Sequence, residues 1–317
     1  MDTFFVVVLF FLALVMLVWG ENLLVDSAAN FSKLTGISQF VIGASVVSIV
    51  SMLPRLLTCI FFTLYDYSDM AIGSLVGGLL FDSLFVIGLL FVVKPFKFNI
   101  KSLKSELYFY FASLIFLVVS ILSGVLNWFE SCVLFLIFVL FYIQNISRAK
   151  CKKELNLSLN SKMLNKNVLI FDILLLLIIG TLLLFFGAKI LVVNSIKLAS
   201  VFGQSVVSYL FVGIGACISE IVAVVIAVRK NYTQIAVGNI IGSGILNVAF
   251  LMPILCLVNT GRLHVIKDII YVCVPLLLLG SLIFIVPCLR RNKSNRAQGV
   301  LMLSLYAIFI VSVLFYF

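Results

Sequence analysis

G-I-G-A-C-I-S-E-I at residues 213–221 and A-V-G-N-I-I-G-S-G-I-L-N at residues 236–247, joined across a basic turn at Arg229-Lys230, decide how this chain is read. Both are apolar segments of helical length, and each carries polar side chains where a membrane helix is ordinarily apolar. Glu220 lies in a run otherwise made of Val, Ile and Ala. A carboxylate at that depth is costly and marks a functional site by default; the plainer reading is a buried acid paired for structure or held protonated. Gly238 and Gly242 stand four residues apart, a spacing that lets helix backbones approach closely. Close packing and an ion site are compatible readings of the same stretch.

Composition sets the surroundings of this stretch. With 64% hydrophobic and 11% charged residues and a mean hydropathy of +1.30, the chain is a polytopic membrane protein and not a soluble domain. At about 20 apolar residues per span, its length accommodates roughly ten helices. The expected spans are 3–27, 38–64, 69–93, 106–124, 128–147, 168–198, 204–228, 233–258, 267–288 and 298–316. The apolar run from Phe4 has no basic leader or small-residue cleavage site, so it reads as a first span and not a signal peptide.

The net charge of +10 is no sign of nucleic acid, because the basic residues sit in short loops between apolar runs. With the N-terminus outside, the inward segments hold Lys33, Lys94, Lys97, Lys101, Lys104, the basic residues of the central linker, Arg229, Lys230, Arg290, Arg291, Lys293 and Arg296. That is 17 of the 22 Lys and Arg. The bias predicts both termini on the non-cytoplasmic side. The seven cysteines (59, 132, 151, 217, 256, 273 and 288) show no C-x-x-C pair and read as small buried hydrophobes. His264 is incidental. Glu21 and Asp26 are expected to be solvated, Asp172 interfacial, and Lys189 to reach the opposite surface. No nucleophile–base pair, phosphate loop or metal-cluster spacing stands out, so an enzyme and a resident cofactor are not expected. Lipid and inorganic cations are the expected partners; oligomeric state is left open.

The long polar stretch 148–167 falls at the middle of the chain and invites a search for a repeat. W-G-E-N-L-L-V-D-S-A (19–28) recurs as F-G-A-K-I-L-V-V-N-S (186–195), and L-P-R-L-L (53–57) as I-S-E-I-V (218–222). A-I-G-S-L-V-G-G-L-L-F-D (71–82) recurs as V-G-N-I-I-G-S-G-I-L-N (237–247). Arg55 precedes Asp82 by 27 residues, and Glu220 precedes Asn247 by 27. Each half holds five spans, so the second enters the membrane in the opposite sense. The predicted architecture is all-α, with repeats at 1–147 and 168–317 and a cytoplasmic linker at 148–167. Inverted repeats of this kind belong to secondary transporters that bind substrate near the midplane on interrupted helices.

A-C-I-S-E-I followed by G-N-I-I-G-S-G-I-L-N resembles the second α-repeat of the calcium/cation antiporter superfamily, the sodium/calcium exchangers, whose hallmark is G-T-S-L-P-E and then G-N-x-x-G-S-N-x-x-(N/D). V-I-G-A-S-V-V-S-I-V-S-M-L-P resembles the start of the first, and the likeness spans nearly the whole chain. It is most similar to the bacterial calcium/sodium antiporters, which implies an inner (plasma) membrane location. The resemblance implies secondary antiport of Ca²⁺ and Na⁺ by alternating access, with the helices at 3–27 and 168–198 moving against a core. It implies cation ligands at Glu220, Asn247, Ser243 and Asn239. Ala216 and Cys217 stand at the motif's hydroxyl positions, Ala216 with only its carbonyl to offer and Cys217 with a soft sulfur. Gly213 and Gly215 are expected to loosen the helix ahead of Glu220.

The first repeat departs from the pattern. Pro54 survives as a helix breaker, but the glutamate position is Arg55, the hydroxyl positions are Ser51 and Met52, and the second motif reads Ser74, Gly78 and Asp82. The expected first-repeat ligands are Asp82 and Ser51, with Arg55 as an internal counter-charge paired to Asp82 or Glu220. Arginine stays protonated in proteins, so two ionised acids and Arg55 leave a centre near −1. That charge suits one monovalent cation, or a proton in exchange, better than Ca²⁺ with several Na⁺. A transport-inactive homologue kept as a membrane scaffold is the reading of another class.

Overall fold

The computed structural model describes residues 3–35, 52–93, 95, 100–153, 166–218, 221, 233–265, 269–291 and 294–316. The first half comprises α1 (Thr3–Thr35), α2 (Leu53–Leu64), α3 (Ser68–Val93), α4 (Ile100–Ile121) and α5 (Trp128–Lys153). The second comprises α6 (Lys166–Phe202), α7 (Gln204–Gly215), α8 (233–258), α9 (269–291) and α10 (Arg296–Tyr316). The order repeats among the described residues: a long first helix in each half, and a third helix interrupted by a π turn. The protein is an all-α polytopic membrane protein of two inverted five-helix repeats.

Local sequence explains the breaks. Pro54 sits in the first turn of α2, where its missing N–H costs no hydrogen bond. It stands at the start of the described helix. Gly203, at φ 88°, turns the chain sharply between α6 and α7 in a conformation that L side chains avoid. Midway, α3 passes through a π-helical turn at Phe81–Val86, and α8 through another at Asn247–Leu251. The wider turns begin one residue before Asp82 and at Asn247 itself, so the repeat seen in the letters recurs in the backbone.

Five of the described helical stretches are long and apolar enough to cross a bilayer, and five shorter apolar helices fill the other expected span positions. Several boundaries differ from those expected. α1 continues to Thr35, α5 to Lys153, and α6 covers Lys166–Phe202, so helix enters the stretch 148–167 from both sides. The beginning of the expected span 38–64 and the end of 204–228 lie outside the described residues. Between α4 and α5, strand β1 (Val125–Asn127) pairs antiparallel with β2 (Arg262–His264), which lies between α8 and α9, with Leu126 opposite Leu263. This small clasp joins the halves at one membrane face and was not expected.

Burial separates the inside of the bundle from its wall. In the apolar windows of α3 and α8, 78% of residues are buried, against 33% in those of α1 and α6. α1 lies along α6, with Gly20 and Gly180 at the crossing: a Cβ on Gly20 would stand 2.9 Å from the Gly180 carbonyl oxygen. Phe4, Phe11, Trp19, Phe171 and Ile178 on this pair are exposed and face lipid. Asp26, Asp172 and Lys189 are exposed, whereas Glu21 is 7% exposed, so the expectation of a solvated Glu21 does not hold.

Candidate functional site

Helices α3 and α7 come together near the middle of the bundle because neither has side chains at the crossing. A Cβ on Gly213 would lie 3.0 Å from the Gly78 nitrogen and 3.2 Å from the Ser74 carbonyl oxygen, and one on Gly77 would collide with the backbone of Tyr209. Backbone contact of this kind is what small residues permit between membrane helices. Gly215 has a different role, since its missing Cβ makes room for Leu14 of α1. The two glycines were expected to loosen the helix, and their structural contribution is close approach. Just after them the backbone leaves the α-helical pattern. Cys217 donates its backbone N–H to the Ile214 carbonyl, a tighter three-residue step, and residues 216–217 form a turn.

Arg55, in the first turn of α2, is brought to this crossing. Its Nη2 donates to Oδ2 of Asp82 at 3.2 Å and to Sγ of Cys217 at 2.8 Å. The pair is dry: the side chains of Arg55 and Asp82 are 4% and 3% exposed. Among the described residues, Glu21, Arg55 and Asp82 are the buried charged side chains. The expected pairing of Arg55 with a carboxylate is therefore present, with Asp82 as partner, and snorkelling of Arg55 to an interface is not what the chain does. Cys217 also donates to the Gly213 carbonyl at 3.0 Å, and Gly78 faces it closely, since a Cβ there would stand 3.2 Å from Sγ of Cys217. The guanidinium thus touches both halves of the chain: α2 carries it, α3 neutralises it, and the end of α7 caps it.

The second repeat supplies a contrasting arrangement. Asn247 is fully buried, and neither its Oδ1 nor its Nδ2 has a hydrogen-bond partner. Buried amides are nearly always satisfied, so this one asks for a ligand or a water. Ser243, one turn earlier and also buried, donates to the Ile240 carbonyl at 3.0 Å. The part of α8 that carries Ser243 packs against the π turn that carries Asp82. Ala216 is half-buried beside Cys217, with only its backbone to offer. Glu220 and Ser51 lie outside the described residues, as does the side chain of Asn239. Among the described residues no three His, Cys, Asp or Glu side chains cluster, and Asp82 is the acid present in the described part of the site.

Two neighbours carried no signal in the sequence. Tyr306, on the last helix, is 3% exposed with its hydroxyl unpartnered, and its ring packs on Phe81 and Phe85 beside Asp82. Gly78 reads in the sequence only as a lost serine, yet it lies against Cys217, where an added Cβ would stand 3.2 Å from the sulfur.

The profile of the family described as sodium/calcium exchanger protein matches residues 5–146 and 173–315. An uncharacterised membrane protein of Methanocaldococcus jannaschii is 27% identical, over 96% of each chain. The inner membrane protein YrbG of Escherichia coli is 27% identical over 93% of this chain and 92% of its own. The sodium/calcium exchanger MaX1 of Methanosarcina acetivorans is 26% identical over 96% of this chain and 97% of its own. A solved structure of the sodium-calcium exchanger NCX_Mj, soaked with 2.5 mM Na⁺ and 1 mM Sr²⁺, superimposes with a TM-score of 0.68 at 26% identity, covering 97% of this chain and 98% of that one.

Proposed function

This chain belongs to the sodium/calcium exchanger family, and from that premise we propose that it is a secondary active cation antiporter with its ion site where α2, α3, α7 and α8 meet. One observation carries the reading: polar groups that the membrane interior makes costly are buried between the two repeats, with Arg55 and Asp82 on one side and the unpartnered carboxamide of Asn247 on the other. The π turns at Asp82 and Asn247 support it, because such turns recur at functional sites. In this reading Asp82, Asn247 and Ser243 are ligands, joined by Glu220, Ser51 and Asn239 and by the carbonyl or sulfur groups of Ala216 and Cys217. Arg55 is the counter-charge. Repeats at 1–147 and 168–317, joined through 148–167, exchange access by moving α1 and α6 against the buried core. The names of the relatives support Na⁺ and Ca²⁺ as the cations to try first, and that of the Escherichia coli relative supports an inner-membrane location.

The test uses the full chain in proteoliposomes loaded with ²²Na⁺ and diluted into choline medium. External Na⁺, Ca²⁺, K⁺ or acid is added singly, and the acceleration of efflux is measured. Antiport requires that at least one external cation accelerate ²²Na⁺ efflux and that Asn247→Ala abolish the effect. A second reading, a transport-inactive scaffold with Arg55 filling the site, draws on the same buried ion pair. It gains if no external cation has any effect on a folded protein.

A further inference from the structure

The two halves of this chain differ at the positions around the guanidinium, and the differences fit together. Where the second half has Glu220, Ser243 and Asn247, the first has Arg55, Gly78 and Asp82. Each first-half residue serves the same object. Arg55 brings the positive charge, Asp82 neutralises it at 3.2 Å, and Gly78 lies beside the guanidinium, where an added Cβ would stand in ordinary contact with Cζ at 3.5 Å. From the other half, Cys217 accepts a second hydrogen bond from the same nitrogen at 2.8 Å. A decayed site would leave a buried charge poorly accommodated, and this one has a socket. On the second-half side the opposite holds. Asn247, in the position equivalent to Asp82, is fully buried with both carboxamide atoms unpartnered.

We propose that Arg55 is a resident cation: its guanidinium permanently fills the first repeat's cation place, so that the protein carries a single monovalent cation per event beside Asn247 and does not respond to divalent cations. The proposal rests on the antiporter reading and narrows it to a substrate class. Electrostatics supply the reason. In a poorly polarisable interior a cation must be offset by nearby negative charge, and a divalent one doubly so. Because Arg55 already neutralises Asp82, that acid no longer offers a free charge to an incoming ion. An amide carbonyl such as that of Asn247 can ligate Na⁺ without adding a charge that would call for a divalent partner.

The purified full chain is titrated with NaCl, and separately with CaCl₂ and SrCl₂, in choline chloride at constant ionic strength. The unfolding midpoint in detergent is followed, together with ²²Na⁺ exchange in proteoliposomes. For the wild type, Na⁺ is expected to raise the midpoint with a Hill coefficient of about 1, and about 10 mM CaCl₂ or SrCl₂ to leave it unchanged. Arg55→Gln removes the resident charge and is expected to raise the Na⁺ Hill coefficient above 1. Arg55→Glu is expected to gain a Ca²⁺ response at a concentration at least about tenfold below any seen for the wild type. Arg55→Lys, which keeps the charge, is expected to stay silent to Ca²⁺. A wild type that takes Ca²⁺ in the millimolar range, or Na⁺ with a Hill coefficient near 2 or above, overturns the proposal while leaving antiport intact. So do Gln and Glu variants that fold and titrate like the wild type. A wild type and variants that neither respond to any cation nor exchange ²²Na⁺ overturn the antiporter reading itself, a distinct result.

Discussion

Arg55 and Asp82 are each the reason the other can be buried. An arginine at the centre of a membrane helix costs about 2.5–3.5 kcal/mol on insertion scales, and its contact with Asp82 at 3.2 Å offsets that cost. Removing one partner leaves the other's charge stranded, so Asp82→Ala is expected to destabilise the protein by about 3–5 kcal/mol. Replacing both by apolar residues, Arg55→Met with Asp82→Leu, is expected to recover most of the loss. Denaturation midpoints of the two single variants and the double variant measure the coupling, and strictly additive losses would refute it. Asn247 gives a second prediction. Its carboxamide is buried and unpartnered, so Asn247→Leu is expected to keep or raise stability in cation-free buffer, since it trades an unsatisfied amide for an apolar group of similar size. The same variant is expected to lose all stabilisation by Na⁺. A thermal titration with and without NaCl separates the two effects.

At the scale of elements, the crossing of α3 and α7 positions the site. Its closeness rests on Gly77 and Gly213, where an added Cβ would meet backbone that has no flexible end to move aside. Gly213→Ala is expected to cost about 1–3 kcal/mol through overpacking and to separate Cys217 from Arg55. Its cost should exceed that of the same change at Gly124, where an added Cβ meets nothing within 4 Å, although the φ of 78° there carries its own strain. Comparing the two melting temperatures tests whether the crossing or glycine loss in general is responsible. The π turns in α3 and α8 belong to this scale too. They place Asp82 and Asn247 at equivalent points of two helices.

At the scale of the molecule, wall and core have different compositions of surface and different tasks. α1 and α6 present apolar faces to lipid, while α3 and α8 are largely enclosed. The distribution of Lys and Arg leads to an expectation about orientation, with both chain ends away from the cytoplasm. C-terminal fusions test it: alkaline phosphatase should be active and green fluorescent protein dark, and the reverse result would invert the topology.

Hydropathy, the odd number of spans per half and the 27-residue spacing of the motif pairs were enough to determine a membrane protein of two inverted repeats, because the bilayer imposes span length and backbone pairing on any chain that crosses it. Arg55 and Asp82 were also legible as members of the site, since charges in apolar runs stand out. Their joint partner was not. Whether Arg55 turned inward to Asp82 or out to the membrane surface depended on packing, and only a crossing between segments more than a hundred residues apart brings Cys217 to the guanidinium. Gly78 is the plainest case. In the sequence it is a missing hydroxyl, and in the folded chain it is a point of close approach between the halves, where an added Cβ would stand 3.2 Å from Sγ of Cys217.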